Sequence, residues 1–454
     1  MKIIIEGAGE VGSHLAKMLS HEANDITVID IDAERLTKLS AAADVITIQG
    51  DPSSVDVLKK AGAASADLLI AVNPFVPQSI NLVSSLLAKK LGTKRVTARI
   101  DDQSYLAVEN KLMFKDMGVD LMFYPEKIAC DETIELLKHS STSDSMDFAR
   151  GKLQLSVFKV DEDSPILDMN VAEFTSKFSS VNAETQFRII AISRRDQTII
   201  PRFDTRFKYF DHIYIISTRE GMKNVMHFLG KSDVEINSIM ILGGGQIGSM
   251  VADALSKTVE DVKIIEMDKE RCIALSEKLP QTVNIVNGDG RNSDLLVEES
   301  IKSYDAFIAV TGNDEANILA SVVAKKFGVG RVIAEVENIE YLRLAEEMGV
   351  DAVINKKLLT AGRIFKFTLS DKVRFVKYMN GTDAEVLEYT VAPGSKITRE
   401  TLKDTDFPSN AIIGGVIRGS DAFIAIGSTH IEPYDRVAVF ALPEAVKDVD
   451  RFFK

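Results

Sequence analysis

The chain has 454 residues, 45% hydrophobic and 27% charged, with Lys plus Arg at 54 against Asp plus Glu at 67, a net charge of −13. That length suits about two to four domains with ordinary cores, and the acidic balance disfavours a general nucleic-acid binder, which needs a cationic face to displace phosphate counterions. Two distant cysteines, Cys130 and Cys272, exclude a disulfide framework and a cysteine-based zinc site.

The opening MKIIIEGAGEVG reads as a strand running into a glycine loop, its apolar run being too short for a signal peptide. No stretch reaches the roughly 20 apolar residues of a membrane-spanning helix, so a soluble protein of a reducing compartment is expected. Apolar strands at 3–6, 26–30, 45–48, 68–72 and 95–100 alternate with helices through 14–19, 35–40, 55–60 and 80–91. Continuous apolar strands interleaved with helices predict a parallel α/β sheet covered on both faces. Met113, Met117 and Met122 are expected to fill its core. A helix over 126–138 and the polar segment HSSTSDSMD at 139–147, expected to act as a hinge, lead to a different texture. From Gly151 the runs LQLSVFKV, RIIAISRRDQTIIP and HIYIIST read as strands joined by charged turns, a small α+β domain. The parallel pattern restarts at 239 and runs to 354, a second linking helix is expected over 358–369, and a second strand-rich stretch covers 385–442.

The restart is a repeat. GAGEVG at Gly7–Gly12 recurs as GGGQIG at Gly243–Gly248, an offset of 236. The same offset carries Asp30 onto Glu266, Asp32 onto Asp268, Arg35 onto Arg271, Asn81 onto Asn317, AKKLG onto AKKFG, and Tyr105 onto Tyr341. Gly50-Asp51 matches Gly288-Asp289 at 238, which implies a two-residue indel. Anchors in one order indicate a tandem duplication of half the chain.

In each copy GxGxxG follows a strand and opens a helix, the context that makes the motif informative. Gly7 and Gly243 allow the tight turn, Gly9 and Gly245 admit a pyrophosphate to the backbone, and Gly12 and Gly248 let helix and strand pack. Phosphates would sit on the unpaired N–H groups of the helix start, at Ala8, Glu10 and Val11 or Gly244, Gln246 and Ile247. An acid stands 18 residues past the third glycine in both copies, Asp30 and Glu266. A carboxylate there accepts ribose hydroxyls and repels the extra phosphate of NADP. An adenosine nucleotide in each copy is therefore expected, NAD(H) or ATP/ADP in preference to NADP. Asn73 and Thr311 end the fourth strand, with Pro74 and Gly312 next to them, on the sheet edge where open α/β folds bind ligands. Asp51 and Asp289 end the third strand and serve either a ribose or adenine edge or a turn. Arg99 would reach a phosphate from the fifth strand, but its counterpart is Glu335, so the two pockets should differ chemically.

Catalytic chemistry is harder to find. The six histidines are scattered and none recurs at the repeat offset. No HExxH, GxSxG or Walker lysine motif occurs, which removes zinc protease, hydrolase and P-loop readings. A basic, aromatic cluster spans Arg188, Arg194, Arg195, Arg202, Arg206 and Lys208. It reads as a solvated hairpin face over an aromatic core, or as a docking surface or anion site.

With its double fingerprint, paired AKKxG segments and a strand-rich domain after each, the whole chain resembles the TrkA family. These are peripheral RCK/KTN-type regulatory subunits of bacterial Trk potassium uptake systems. The resemblance implies the order RCK-N, RCK-C, RCK-N, RCK-C: two Rossmann-like parallel-sheet domains, 1–138 and 231–370, each followed by a small α+β domain, 139–230 and 371–454. It implies no catalysis, NAD(H) with ATP or ADP as ligands, and nucleotide contacts on Gly7 to Val11, Asp30, Asn73 and Arg99, and on Gly243 to Ile247, Glu266 and Thr311. It further implies a homo-oligomeric ring, a tetramer, gating an integral membrane potassium channel subunit from the inner face of the cell membrane. An NAD-dependent oxidoreductase with a duplicated Rossmann domain is the alternative.

Overall fold

The computed structural model describes residues 1–20, 24–73, 79–148, 151–179, 186–195, 197–231, 235–365, 373–378 and 384–453. The chain divides into two units, Met1–Ile128 with Lys356–Ser370, and Ala129–Asn355 with Asp371–Lys454.

In the first unit the strands are β1 (Lys2–Glu6), β2 (Asp25–Asp30), β3 (Ile46–Gln49), β4 (Leu68–Ala71), β5 (Arg95–Arg99) and β6 (Leu121–Phe123). They form one parallel sheet in the order β3-β2-β1-β4-β5-β6. β4 is buried along its whole length and β1 from Ile3 onward, which is why neither alternates in sequence: a sheet covered on both faces needs apolar residues on both. Helices α1 (Glu10–Ser20), α2 (Ala33–Ala42), α3 (Val55–Lys60) and α4 (Ser79–Leu91) occupy the crossovers. The Asp32 carboxylate caps α2 by accepting from the amides of Glu34 and Arg35 at 2.9 and 3.2 Å. Ile4, Ile29, Leu58, Leu69 and Val96 pack together on the α3–α4 face.

Helix α5 (Val108–Met117) has no buried residue. Met113 and Met117 are 50% and 47% exposed, against the expectation that they fill the core; only Met122 is buried. The helix carries apolar residues around its circumference, and among the described residues its main neighbour is the short turn Gln103–Leu106, where Tyr105 and Phe114 lie 5.2 Å apart between ring centroids. Helix Lys356–Phe365 packs on α1, with Lys357 Nζ 2.5 Å from the Glu10 carboxylate. It covers the first part of the expected 358–369 helix; the remainder lies outside the described residues.

The second unit holds another parallel sheet, Ser238–Leu242, Asp261–Glu266, Val283–Asn287, Ala306–Ala309, Arg331–Glu335 and Ala352–Ile354, in the same order, third-second-first-fourth-fifth-sixth. It also holds two five-stranded antiparallel sheets of identical topology. One runs Gln197–Ile199, Phe187–Arg194, His212–Thr218, Leu153–Lys159, Asp144–Phe148; the other Asp421–Ile424, Ala411–Arg418, Arg436–Ala441, Glu385–Thr390, Val373–Tyr378. One face of each joins a common core containing Leu155, Tyr214, Ile216, Val386, Ile417 and Phe440.

The segment 139–147 is not a simple hinge. Asp144–Phe148 is an edge strand paired with Leu153–Lys159, and Met146 and Phe148 enter the common core. Its Ser- and Asp-rich composition hides this because an edge strand takes its order from the neighbouring ladder and not from its own propensity. The basic cluster is mixed: Arg195, Arg202, Arg206 and Lys208 are exposed beside the buried Phe187 and Phe207, a solvated hairpin face over an aromatic core, while Arg188 and Arg194 are half-buried. Arg188 donates to the carbonyls of Ile413 and Ala425 at 3.1 and 2.9 Å. Arg194 forks onto Asp211 at 2.7 and 2.6 Å, and Arg206 donates to the Asp168 carbonyl. These arginines bind protein acceptors within the unit.

Candidate nucleotide-binding sites

Both glycine loops are built alike. Gly7 and Gly243 have φ of +99° and +103°, a left-handed conformation that favours glycine. A Cβ on Gly12 would lie 1.8 Å from the Gly7 carbonyl oxygen, and one on Gly248 would lie 2.0 Å from that of Gly243, so the helix starts against the turn itself. At Gly245, by contrast, nothing lies within 4 Å of the position a Cβ would take: the second glycine faces open space where a phosphate would approach. The first intrahelical bonds are Ser13 N to Gly9 O at 2.8 Å and Ser249 N to Gly245 O at 2.9 Å. The amides ahead of them, Glu10 to Gly12 and Gln246 to Gly248, therefore lack intrahelical acceptors and form an anion seat at the helix start.

The spaced acids close the cradle. Asp30 accepts from the Ala8 amide at 2.6 Å and the Asp32 amide at 2.8 Å. Glu266 accepts from Gly244 at 2.8 Å and Asp268 at 2.8 Å. Glu266 is one methylene longer than Asp30, yet both bridge the glycine loop to the turn after the second strand. Both are buried, and the bonds fix their orientation. Arg271 Nη1 lies 3.6 Å from Glu266, whereas Arg35 pairs with Asp32 at 3.3 Å.

The fourth-strand edge is held by a residue met in sequence only as a repeat anchor. Asn81, fully buried, accepts from the Asn73 amide and donates to the Asn73 carbonyl, both at 3.0 Å, and donates to the Arg99 carbonyl at 3.1 Å. Asn317 repeats this with the Thr311 amide at 2.9 Å and the carbonyls of Thr311 and Glu335 at 3.1 and 2.9 Å. Asn73 and Thr311 thus stand at matching, pinned positions. Gly312 is exposed beside Thr311; Pro74 lies outside the described residues. The available signal was an asparagine recurring inside an otherwise apolar helix.

The remaining candidates diverge. Asp51 accepts from Ser53 N and Oγ at 2.8 and 2.7 Å, a turn cap. Asp289 is gripped by Arg291, whose Nη2 lies 2.7 Å away and holds the carboxyl below its usual range. Next to it an open groove of about 220 Å³ runs between Gly290-Arg291 and Glu315 and Leu319 of the Asp314–Lys326 helix, with its N-cap Asn313. Arg99 is paired with Glu126 at 3.5 Å, both side chains being mostly buried. Its counterpart Glu335 is buried at the same strand end. The two copies share the cradle and differ around its rim.

The TrkA-N domain family model matches residues 3–125 and 239–356, and the TrkA-C domain model matches 155–230 and 386–454. The chain is 32% identical over 463 residues to Trk system potassium uptake protein TrkA homolog 1 of Methanosarcina mazei, all of both chains being covered. It is 33% identical over 460 residues to Trk system potassium uptake protein TrkA of Halomonas elongata, covering 100% of this chain and 99% of that one. Among solved structures the crystal structure of the GsuK RCK domain superposes with a TM-score of 0.59 at 16% identity, over 99% of this chain and 94% of that one. The GsuK channel bound to NAD gives 0.58 at 17%, over 99% and 78%. These two share the fold.

Proposed function

The chain belongs to the TrkA family, and from that premise we propose that it is the nucleotide-binding regulatory subunit of a Trk-type potassium uptake system, with no catalysis of its own. The observation that carries the nucleotide reading is the duplicated cradle: a glycine turn, an open anion seat, and an acid held by the loop amide at Ala8 or Gly244. NAD(H) or ATP/ADP is the ligand class in each copy, the acids disfavouring the 2′-phosphate of NADP. The binding residues are those on the two cradles and rims, Arg99 among them once its pairing with Glu126 is exchanged for a phosphate. The four-part division at 138, 230 and 370 fits the four sheets.

A nucleotide shifts a conformational equilibrium only by its differential affinity for the two states. Here it would act on a ring of chains, a tetramer, attached through a multi-span potassium channel subunit on the inner face of the membrane. No helix among the described residues is long and apolar enough to cross a membrane, so a protein partner supplies the attachment. Self-association suits α5, whose Val108, Leu112, Met113 and Met117 are all exposed.

Two measurements test this. Calorimetric titration with NADH, ATP, ADP and NADPH should give binding for the first three and weak binding for the last; silence with all four would sink the nucleotide reading. Purification of tagged protein from solubilised membranes should retain a multi-span potassium transport subunit, which an oxidoreductase would not.

A further inference from the structure

Glu6 ends β1 and stands immediately before Gly7. Its side chain is fully buried. One carboxyl oxygen accepts from the Ser84 hydroxyl of α4, and the other has no hydrogen-bond partner among the described residues. The charged groups facing it are both acidic, Asp51 after β3 and Asp30 at the end of β2. Burial is the main influence and pushes its carboxyl up to about 8; the Ser84 bond opposes this and the two acids add to it. Near neutrality Glu6 is therefore a neutral acid beneath the glycine turn.

The second copy carries none of this. At the equivalent places stand Leu242 and Ala320, both buried. The neighbouring loop has changed with them: Gly290 replaces Pro52, and a Cβ on Gly290 would meet Leu242 Cδ1 at 2.2 Å. A polar pair in one copy corresponds to an apolar pair in the other, where Leu242 lies against Gly290. The acid–hydroxyl pair belongs to the first site alone.

We infer that Glu6 makes nucleotide binding proton-linked at the first site and not at the second, the nucleotide binding the form in which Glu6 holds its proton. This rests on the nucleotide reading given above. Ionised, Glu6 would be a third carboxylate beside Asp30 and Asp51 at the strand ends where a diphosphate must approach, in an environment that screens charge poorly. Its state also reaches the wall of the site. The Ser84 hydroxyl is 3.2 Å from the Asn81 carbonyl oxygen, and Asn81 pins Asn73. The first site would empty before the second as pH rises.

The experiment uses the full chain carrying Gly245→Val, which fills the open phosphate seat of the second copy and leaves the first to be read alone. NADH is the probe, because it has no group that titrates between pH 7 and 9.5. The dissociation constant is expected to rise about thirtyfold from pH 7 to pH 9.5, with proton uptake seen as a dependence of binding heat on buffer ionisation. Glu6→Gln, and the double variant Glu6→Leu with Ser84→Ala that copies the second site, should hold the constant within about twofold and abolish the buffer dependence. The same pH profile in wild type and both variants overturns the inference while leaving the nucleotide reading intact. Absence of NADH binding at pH 7 in the otherwise native chain overturns the inference; silence with ATP, ADP and NADPH as well overturns the nucleotide reading with it.

Discussion

Asn81 holds the Asn73 backbone from both sides, accepting its N–H and donating to its C=O, each at 3.0 Å. Asn317 holds Thr311 in the same way. One amide thus ties the fourth-strand end to a helix and, through a third bond, to the fifth-strand end. Asn81→Ala leaves the Asn73 and Arg99 backbone groups to find water at a buried edge. It should cost about 2–4 kcal/mol of stability and weaken nucleotide binding at the first site, with denaturant unfolding and calorimetry as the readouts. Asn81→Asp, which accepts but cannot donate, should fall between.

The two spaced acids should be separable. Asp30→Ala frees the Ala8 amide and removes the proposed ribose acceptor, so affinity at the first site should drop about tenfold or more. Glu266→Ala should do the same at the second. Because Arg271 attends Glu266 while its counterpart Arg35 pairs with Asp32, the rank order of NADH, ATP and ADP should differ between the two variants. Identical rank orders would count against unequal sites.

The glycines should sort by position in the turn. Gly12→Ala puts a methyl 1.8 Å from a carbonyl oxygen and should destabilise the first unit by about 3 kcal/mol or more. Gly245→Ala meets nothing and should leave the melting temperature within about 1 °C, its effect falling on nucleotide affinity alone. A thermal shift for Gly245→Ala matching that of Gly12→Ala would be the contrary result.

Glu346 tests pH and stability in the second unit. Burial pushes its carboxyl up to about 7 despite Lys159 nearby, and His212 Nε2 lies 3.4 Å away with its imidazole pushed down to about 4, chiefly by burial. A carboxyl whose native pKa is raised contributes stability that is complete below its unfolded value of about 4.5 and is lost as pH rises through about 7. The His212 effect has the opposite slope, disfavouring the fold as pH falls from about 6.5 to 4. Glu346→Gln, which keeps the shape and removes the ionisation, should therefore gain stability relative to wild type at pH 8 by about 2–3 kcal/mol and gain nothing at pH 4.5. Chemical denaturation at both pH values checks the sign.

Self-association should depend on α5. Leu112→Asp with Met113→Asp places charges on a helix without buried residues, so the fold should survive with unchanged circular dichroism. Sedimentation should show a smaller species than wild type. An unchanged oligomer would move the interface elsewhere.

Periodicity and repetition carried most of the architecture. β1 and β4 declared a buried parallel sheet through unbroken apolar runs, and the recurrence of the glycine loop at offset 236 declared the duplication. The glycine turns and the acids that grip them were legible because a tight strand-to-helix turn demands particular residues at particular spacings. Less was legible where order comes from a distant partner. Asp144–Phe148 looks like a polar linker until the Leu153–Lys159 ladder is beside it. Arg188 looks like a surface cation until the carbonyls of Ile413 and Ala425, more than 200 residues away in the chain, are found at its tip. Met113 and Met117 look like core residues because composition cannot tell an inward helix face from an outward one.

By itself, the sequence determined the fold class, the twofold repeat and the identity of the glycine and acid positions, since these rest on local backbone sterics and on spacing along the chain. Only the tertiary structure decided which polar groups are satisfied and which are buried together. It showed Asn81 and Asn317 as staples, Arg99 facing Glu126, and Glu6 sealed under the first glycine turn while Leu242 takes its place under the second. Those facts depend on desolvation and on neighbours brought together by folding, and the two cradles differ there despite their shared motif.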